Sequence, residues 1–497
     1  MRTRLLTLLF VLTIAASVHA AVITVDTSSP RQSWEGWGAS DISSFDALAF
    51  EEEAGKPGPI PIEGQKAILE LYYRDLGMNF VRFCPWGYEP ENDNDDPFTL
   101  NESAFKWEGR NTRLTNSLDN VCRDHLVLGK EFRSKTDPFV FYPSINNWES
   151  WMAVNPKGNW GWNAADGKFK PEMVEEYAEH AFAAVKHVKE KFGYTIPYWA
   201  LFNEPSNNAR PSKETNLALV LACGRRFKQH KISTKLVICD DVTPEGSAEA
   251  IEYVLADKEA RNYVGAVSYH RYCGDFVLER VKPMLQKLDK GDLLVSAPVS
   301  FYDTARKYGK SVWVSEQCSY GDEGITMYDA GRARAGHICD EINNAGVNSF
   351  NFMLTWFIER GRPGFEECPI YMRFKDGHYS GCEINAFGAW LRHFTRYIRP
   401  SMVRLPVIID DNKIRAVAFR DRSGKKGNAI LVVVSNNANP TEISARLNGM
   451  RGSGKVSVFR TEPEHIGLNK PVLVMTNGIL KDTIPGYSVT TYSVVTQ

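Results

Sequence analysis

Two glutamates in this chain each follow a short stretch that is typical of a buried strand. Glu204 comes after the apolar and aromatic residues 198–202, between Asn203 and Pro205, and Glu316 comes after residues 311–315. Pro205 blocks further ladder pairing, so the first of these strands must end there. Apolar strand walls raise the pKa of a carboxyl group, which suits a general acid. The same pattern also fits a strand that ends in Glu only because solvent begins there.

The segments around the two glutamates alternate between strand-like and helix-like patterns. The strand-like segments are residues 34–41, 79–85, 138–143, 198–203, 235–240, 264–270, 311–316 and 349–356. The helix-like segments are residues 65–76, 116–128, 171–192, 216–230, 247–255, 301–308 and 329–343. Eight strands separated by helices predict a (β/α)8 TIM barrel of the α/β class. A doubly wound sheet is the rival fold, but no Gly-x-Gly-x-x-Gly motif follows the early strands.

The pattern changes after residue 397, where short β-branched segments are separated by Gly, Asn and Pro. These segments are residues 408, 413–420, 428–435, 441–447, 455–460, 472–475 and 488–495. They predict an all-β sandwich. Residues 21–26 alternate like a strand but have no place in the barrel, so we expect them to complete the sandwich. The predicted division is a signal peptide at 1–20, a sandwich strand at 21–32, the barrel at 33–398 and the C-terminal sandwich at 399–497.

Composition and the N-terminus bear on partners and on location. The chain has 497 residues, of which 43% are hydrophobic, and its formal net charge of -1 favours neither nucleic acid nor an anionic membrane. Arg2 and Arg4 precede an apolar run at residues 5–16, and a cut after Ala20 would follow small residues. This is the pattern of a cleaved signal peptide, and the run is too short to span a bilayer comfortably. We expect a secreted protein, extracellular or periplasmic, that is a monomer.

Cysteines and acidic runs give weaker signals. Of nine cysteines, Cys368 and Cys382 bracket a polar loop and are the pair that we expect to form a disulfide. No two cysteines have two residues between them and no His cluster accompanies them, so we expect no structural zinc site and no cofactor. The acidic stretch at residues 91–97 could bind calcium, but it lacks the spacing of a defined loop and is more typical of solvated surface.

In a (β/α)8 barrel the residues at the C-terminal ends of the strands point into one shared mouth. In strand order, those residues are Arg82, then Asn146, Asn147 and Trp148, then Asn203 and Glu204, then Asp240 and Asp241, then His270 and Tyr272, then Glu316, and last Trp356. Asp240 and Asp241 are expected to be structural. Two glutamates on opposite sides of the mouth, surrounded by Arg, Asn, His, Tyr and Trp side chains, indicate cleavage of a glycosidic bond.

That reaction requires a proton on the leaving oxygen and a group that stabilises or traps an oxocarbenium-like carbon. Arg82 close to Glu316 would hold Glu316 as a carboxylate, while apolar walls would keep Glu204 protonated. Carboxyl groups about 5–5.5 Å apart retain the anomeric configuration, and a separation of about 6.5–9.5 Å inverts it. The sequence leaves this distance open.

Several motifs resemble glycoside hydrolase family 30, within the clan A retaining glycosidases. Asn203-Glu204-Pro205 and Glu316 resemble the acid/base and the nucleophile of the clan. The motifs that resemble the family itself are residues 35–41 (EGWGASD), 143–152 (PSINNWESWM), 313–316 (WVSE) and 394–400 (FTRYIRP). The resemblance covers essentially the whole chain after residue 20. It implies a (β/α)8 barrel fused to a side β-sandwich that combines the extreme N-terminus with the C-terminal segment.

The resemblance also implies roles for individual residues. Glu204 would be the acid/base, Glu316 the nucleophile, and Arg82 would orient Glu316. The residues expected to bind substrate are Asn203 at the sugar 2-hydroxyl, Trp148 and Trp356 as sugar platforms, and Asn147, His270 and Tyr272 along the site. Phe202 and residues 145–147 depart from the family pattern close to the sugar subsites, so they affect substrate identity more than mechanism.

The leading hypothesis is a retaining enzyme that cleaves a β-linked polysaccharide or oligosaccharide of galactan, glucan or xylan type by double displacement. The alternative from another class is a non-catalytic carbohydrate-binding protein on a glycosidase scaffold. A metal-dependent barrel hydrolase comes third. The presence of both Glu204 and Glu316 favours the enzyme.

Overall fold

The chain forms a barrel of parallel strands beside a two-sheet sandwich. This computed structural model describes residues 20–41, 60–84, 96–105, 107, 117–145, 152–154, 168–206, 209–272, 280–295, 300–319, 321, 323–358, 367–422, 428–450 and 452–496. Strand β1 (Ala21–Asp26) comes first and belongs to the sandwich. The structure thus confirms the predicted fold class, a (β/α)8 barrel with a side sandwich that includes the N-terminal strand.

The barrel sheet contains eight parallel strands. They are β2 (Gly36–Asp41), β3 (Phe80–Phe83), β4 (Val140–Pro143), β5 (Tyr198–Ala200), β6 (Lys235–Asp241), β7 (Val264–His270), β8 (Ser311–Glu316) and β9 (Ser349–Phe352). Their order in the sheet is β4-β3-β2-β9-β8-β7-β6-β5, and a parallel bridge from Ser144 to Ala200 joins the two ends into a closed barrel. Closure brings the C-terminal ends of all eight strands to one mouth.

Helices surround the barrel. They are α1 (Ile62–Glu70), α2 (Leu118–Cys122), α3 (Val174–Phe192), α4 (Lys213–Gln229), α5 (Ala248–Ala256), α6 (Lys258–Tyr263), α7 (Val281–Lys290), α8 (Ser300–Lys307), α9 (Met327–Asp340) and α10 (Ala386–Thr395). Single π-helical turns at Leu71–Asp75, Arg123–Val127 and Glu341–Ala345 extend α1, α2 and α9. Helix α3 ends as its sequence predicts, at Gly193, whose φ of 67° is the left-handed conformation that glycine tolerates best.

Bulky side chains fill the lower part of the barrel interior. Trp313 of β8 packs against Phe80, Tyr142 and Tyr198, with ring centroids 4.8–5.6 Å away. Trp313 is fully buried, and its Nε1 donates to Glu35. This buried layer fills the barrel interior below the C-terminal ends of the strands.

A small three-stranded sheet follows the last barrel strand and packs against α1 and α10. It consists of β10 (Trp356–Ile358), β11 (Ile370–Lys375) and β12 (His378–Ile384), and none of the three strands is a separate element in the sequence patterns. The eighth barrel strand therefore ends at Phe352, not at Trp356 as predicted. The predicted disulfide is also wrong. Cys368 and Cys382 are both free thiols, and the register of the β11–β12 hairpin places Cys382 opposite Met372.

The sandwich has two sheets. Its further strands are β13 (Val403–Leu405), β14 (Val407–Ile409), β15 (Ile414–Arg420), β16 (Asn428–Ser435), β17 (Thr441–Asn448), β18 (Gly454–Glu462), β19 (His465–Met475), β20 (Ile479–Ile484) and β21 (Ser488–Thr496). One sheet has the order β14-β1-β17-β20 and the other β13-β15-β16-β21-β18-β19. The strict alternation of β1 buries Ala21, Ile23 and Val25 in the core between the sheets.

Polar links fix the sandwich against the barrel helices. Arg415 of β15 donates to Asp340 of α9 at 3.0 Å. His393 of α10 lies between the hydroxyls of Thr461 and Thr491, at 2.9 Å from each. Among the described residues, no helix is long and apolar enough to cross a bilayer.

The burial of β1 gives a stability prediction. Ile23→Ala should lower the free energy of unfolding by about 2–5 kcal/mol, because Ile23 is fully buried between the two sheets. Its neighbour Val22 points outward and is 37% exposed, so Val22→Ala should change that free energy by less than about 0.5 kcal/mol. Denaturant unfolding of both variants makes the comparison. Equal effects would contradict the position of β1 in the sandwich core.

Candidate active site

The polar cluster at the barrel mouth is built on the ends of five strands. Arg82 lies in β3, Asn203 and Glu204 follow β5, Asp240 lies in β6, His270 ends β7 and Glu316 ends β8. His270 and Glu316 are opposite each other in the β7–β8 register. Four of these side chains lie in the strands themselves, whereas Asn203 and Glu204 lie three and four residues past the end of β5, where backbone bonds to Ile145 and Asp240 hold them.

Arg82 is at the centre of this cluster and is fully buried. Its Nη1 donates to Glu316 Oε2 at 2.7 Å and to Ser40 Oγ at 3.0 Å. Its Nη2 donates to Asp240 Oδ2 at 2.9 Å and to the side-chain oxygen of Asn203. A buried guanidinium is stable only when its donors are satisfied and its charge is balanced, and these four partners do both.

Glu316 accepts a hydrogen bond on each carboxylate oxygen. Arg82 donates to Oε2, and the hydroxyl of Tyr272 donates to Oε1 at 3.0 Å. The residue is 7% exposed. The two donors fix the plane of the carboxylate, and the mouth remains the side from which a ligand can approach it.

Glu204 lies on a strained piece of backbone next to the cluster. Its φ of 49° is the left-handed conformation, which a residue with a side chain rarely adopts. Its N–H donates to the carbonyl of Asp240 at 2.9 Å, while the N–H of Asn203 donates to Ile145 at 2.7 Å. These bonds hold the turn and bring one oxygen of Glu204 within 4.8 Å of an oxygen of Glu316.

His270 joins the two glutamates. Its Nδ1 lies 3.1 Å from Glu204 Oε1 and 3.8 Å from Glu316 Oε1, and its Nε2 lies 3.7 Å from Asp240 Oδ1. Burial by itself lowers the pKa of a histidine, but Glu316, Asp240 and Glu204 together raise the pKa of His270 to about 10. This pKa favours the protonated ring near neutral pH, with Nδ1–H donating to Glu204 Oε1, although Nε2 also lies 3.3 Å from the Nη2 donor of Arg82. A charged imidazole faces Glu204, where the sequence predicted apolar walls.

Asp240 belongs to this site, although the sequence suggested a structural role. Its Oδ2 accepts from Arg82 and from Ser144, and its Oδ1 accepts from Ser268 at 2.8 Å and from Ser315. Burial alone would raise its pKa, but Arg82 above all holds that pKa well below the usual range. The sequence did contain a sign of this role. Asp240 and Asp241 are consecutive at a barrel strand end, and neighbouring side chains of a strand point to opposite faces, so one of the two must point into the barrel.

The predicted platform at Trp356 is wrong. Trp356 lies in β10, is 1% exposed, and stacks on His125 with ring centroids 5.8 Å apart. Tyr72 of the π-helical turn after α1 packs edge-on against the same indole. The ring is therefore part of the packing beneath the helices and offers no face to a sugar. Asn146, Asn147, Trp148 and residues 91–95 of the acidic stretch lie outside the described residues.

Glu204, His270 and Glu316 also have the spacing of a metal site, because one ligand atom from each lies within 4.8 Å of the others. No other such group occurs among the residues that the structure describes. These residues fit a metal poorly, because Nδ1 of His270 would have to lose its proton and the pKa of about 10 opposes that loss. The cluster also already contains the guanidinium of Arg82, 2.7 Å from Glu316 Oε2.

Comparison with known proteins gives matches among solved structures alone. No protein-family model matches the chain, and no curated protein matches it. The catalytic domain of GH30 (glycoside hydrolase family 30) xylanase C from Talaromyces cellulolyticus is 15% identical with a TM-score of 0.67, covering 96% of this chain and all of that one. A conserved exported protein from Bacteroides fragilis is 15% identical with a TM-score of 0.68, covering 95% of this chain and all of that one.

An endo-β1,6-glucanase is also 15% identical, with a TM-score of 0.62, covering 96% of this chain and 94% of that one. Similarity at this level of identity is evidence about the fold. The predicted resemblance to glycoside hydrolase family 30 is therefore confirmed for the fold of almost the whole chain.

The charged state of His270 predicts how stability depends on pH. The pKa of the ring is about 6.5 in the unfolded chain and about 10 in the folded protein. The stabilisation by protonated His270 is thus complete below about pH 6.5 and is lost as the pH rises through about 10. The variant His270→Gln cannot bind this proton. Between pH 7 and pH 10, wild type should therefore lose more free energy of unfolding than the variant, by on the order of a few kcal/mol.

Chemical denaturation of wild type and His270→Gln at several pH values checks this expectation. Other groups that titrate over the same range contribute equally to the stability of both proteins, so the difference between the two curves reports on His270. Parallel stability curves would mean that His270 is neutral in the folded protein.

Proposed function

We propose that the protein is a secreted, retaining β-glycoside hydrolase in which Glu316 is the nucleophile and Glu204 the acid/base. The observation that carries the proposal is the approach of these two carboxyl groups, whose nearest oxygens lie within 4.8 Å of each other. Retaining enzymes place their carboxyl groups about 5–5.5 Å apart, whereas inverting enzymes leave about 6.5–9.5 Å for a water molecule. The short approach therefore supports double displacement.

The contacts of Glu316 suit a nucleophile. Arg82 and Tyr272 orient its carboxylate, and Arg82 supplies the counter-charge at 2.7 Å. Attack on the anomeric carbon forms a glycosyl ester and consumes the negative charge of Glu316. On the way to this intermediate the anomeric carbon becomes oxocarbenium-like, and the carboxylate of Glu316 stabilises its positive charge before forming the bond, while the bond to the leaving oxygen breaks.

Charge balance supports Glu204 as the group that carries the exchangeable proton. Two cations, Arg82 and His270, face the three carboxyl groups of Asp240, Glu204 and Glu316. One further proton would make this poorly hydrated cluster neutral. Glu316 and Asp240 accept hydrogen bonds on both oxygens, so a proton on either would displace a donor. Glu204 can take that proton and give it to the leaving oxygen.

The second half of the reaction uses the same residues in reverse. Once the leaving group has departed, Glu204 is a carboxylate and removes a proton from a water molecule that attacks the ester on Glu316. Loss of the negative charge on Glu316 also removes one cause of the raised pKa of His270. The imidazolium then interacts more with Glu204, which stabilises the deprotonated base that this step requires.

The proposed substrate is a β-linked glycan of galactan, glucan or xylan type. Two proteins of similar fold are named as a xylanase and an endo-β1,6-glucanase, which supports β-glycans as a class. Asn203 would contact the sugar 2-hydroxyl, and Asn147 and Trp148 remain proposed substrate contacts. The exported protein from Bacteroides fragilis supports secretion, with cleavage near Ala20. We propose that the protein acts as a monomer without a cofactor.

The alternative proposal is a carbohydrate-binding protein without turnover. Its test is a panel of β-glycans and aryl β-glycosides analysed for released sugar by mass spectrometry. Release of sugar supports the enzyme, and binding of a glycan without any release supports the alternative. Monosaccharide as the sole product indicates exo action, and a ladder of oligomers indicates endo action.

Removal of either carboxyl group should abolish most of the activity. Glu316→Gln should lower kcat/KM by several orders of magnitude, because an amide cannot form the ester. Glu204→Gln should lower kcat/KM on an unactivated glycoside by about 10²–10⁴-fold, because the proton donor is lost. Initial rates on a substrate identified in the panel provide the measurement.

The matched control is Glu259→Gln, which makes the same chemical change in an exposed ion pair with Arg225. We expect its kcat/KM to equal that of wild type. Thermal unfolding should show all three variants folded. If Glu316→Gln is folded and retains activity, the proposed mechanism is wrong.

Chelation tests the metal-dependent alternative. Dialysis against a strong chelator should leave kcat/KM unchanged, because the cationic His270 opposes metal binding at the only metal-like group among the described residues. Activity that disappears on chelation and returns when a divalent metal is added would refute the two-glutamate mechanism proposed above.

A further inference from the structure

Strand β6 ends in two consecutive aspartates, of which Asp240 balances the charge of Arg82 and Asp241 has no contact with that guanidinium among the described hydrogen bonds. The β6–β7 register shifts between Cys239 and Asp241, and Cys239 and Asp240 have φ values of 81° and 48°. This irregularity is a β-bulge, and bulges next to active sites commonly redirect a side chain. Here Asp240 points into the barrel towards Arg82, while Asp241 points towards the loop that carries Glu204.

The carboxylate of Asp241 is buried and binds two segments of chain. Its Oδ1 accepts from the N–H of Ser206 at 3.2 Å, from the hydroxyl of Ser206, and from the N–H of Val242 at 2.8 Å. Its Oδ2 accepts from the hydroxyl of Ser247 at 2.6 Å. Asp241 is 1% exposed, so these bonds are formed out of water, where they are strongest.

The turn that carries Ser247 packs tightly against the same carboxylate. This 3-10 turn, Pro244–Ser247, lies immediately before α5. A Cβ atom added to Gly246 would lie 2.7 Å from Oδ2 of Asp241. The carboxylate is thus enclosed between the turn and the Glu204 loop, and it has little room to move.

The loop that Asp241 binds has little support from the sheet. Strand β5 ends at Ala200, Pro205 has no N–H to donate, and Glu204 has a left-handed backbone. Before Glu204, the N–H groups of Asn203 and Glu204 itself bond to Ile145 and Asp240. After Glu204, the carboxylate of Asp241 binds Ser206 through both its N–H and its hydroxyl. Glu204 is therefore held on both sides. On the C-terminal side Arg210 donates to the carbonyls of Pro205 and Ser206, and Asp241 binds the N–H and the hydroxyl of Ser206.

We propose that Asp241 is a positioning residue that holds the Glu204 loop in the geometry for proton transfer to the leaving oxygen. The proposal rests on the proposed function, and it concerns the acid/base while leaving the nucleophile untouched. Asp241 contacts neither Arg82 nor Glu316 among the described hydrogen bonds. Its loss should therefore weaken proton donation and spare nucleophilic attack.

Dependence on the leaving group separates these two effects. Proton donation matters greatly when the leaving group is a sugar hydroxyl and little when it is a dinitrophenolate, which departs without a proton. The value of kcat/KM reports the first, glycosylating step for both kinds of substrate. For Asp241→Asn we expect kcat/KM to fall by about 10²-fold on an unactivated β-glycoside, because small misplacements of a catalytic group cost about this much. On a dinitrophenyl β-glycoside we expect a change of less than about threefold.

Two further variants complete the experiment. Ser206→Ala removes the hydroxyl bond and keeps the N–H bond to Asp241, so it should shift the leaving-group dependence in the same direction by a smaller factor. It also provides the test if Asp241→Asn fails to fold. Asp257→Asn is the matched control, because Asp257 caps α6 by accepting from Ala260 N at 2.8 Å, remote from the site, and asparagine caps a helix equally well. Its kinetics should match those of wild type on both substrates.

Three other outcomes would contradict the role of Asp241 or the proposed function. An equal loss of kcat/KM on both substrates in Asp241→Asn would overturn the inference and assign Asp241 a general structural role. Wild-type kinetics in Asp241→Asn, or in Ser206→Ala where that variant replaces it, would also overturn the inference, while leaving the proposed function intact. If wild type cleaves neither substrate nor any glycan in the panel, the proposed function fails and this inference fails with it.

Discussion

The buried charge of Arg82 is the constraint on which the rest of the active site depends. Its guanidinium lies at the centre of the barrel mouth with no exposed surface. The partners that balance it come from four different places in the sheet, namely Ser40 in β2, Asn203 after β5, Asp240 in β6 and Glu316 in β8. Removing any charged partner would leave an uncompensated buried charge, which is costly. Closure of the barrel therefore brings together the charged and polar partners of Arg82, and so sets the charge balance of the site as well as its shape.

The same constraint explains the unusual state of His270. Arg82 alone cannot balance Glu316 and Asp240, and their remaining negative charge, together with the hydrogen bonds to Asp240 and Glu204, outweighs burial and raises the pKa of the imidazole to about 10. Charge therefore links all five residues, so a change at one carboxyl group alters the proton affinity of the others. Such coupling suits a reaction in which one carboxylate forms an ester and the other alternates between acid and base.

Much of the fold could be predicted because the strands and helices have clear periods and clear ends. Pro205 ends the segment before the first glutamate, and Gly193 ends the longest helix where a left-handed residue is needed. Both glutamates could be singled out because a charged residue at the end of an apolar strand is conspicuous. Helix α7 went unrecognised, since Pro283 in its first turn resembles a break although proline is tolerated there.

The errors concern residues whose environment depends on tertiary packing. Trp356 continues an apolar run past the end of the eighth barrel strand, but a separate small sheet takes it into the core against His125. The separation of Cys368 from Cys382 gave no indication that a hairpin register would place Cys382 opposite Met372. Asp240 and Asp241 are adjacent in sequence and identical in type, and the β-bulge gives them different partners. No local pattern contains this information.

The central claim is that Glu316, held by Arg82 and Tyr272, forms a covalent bond to the sugar. Activated 2-deoxy-2-fluoro β-glycosides of xylose, glucose and galactose form such an ester but hydrolyse it slowly, so they trap the intermediate. After incubation and proteolysis, mass spectrometry locates the attached sugar. We expect one fluorosugar per chain, attached to the peptide that contains Glu316 and absent in Glu316→Gln. Attachment to Glu204 instead, or turnover of the parent glycoside with inverted product and no adduct, would contradict the central claim.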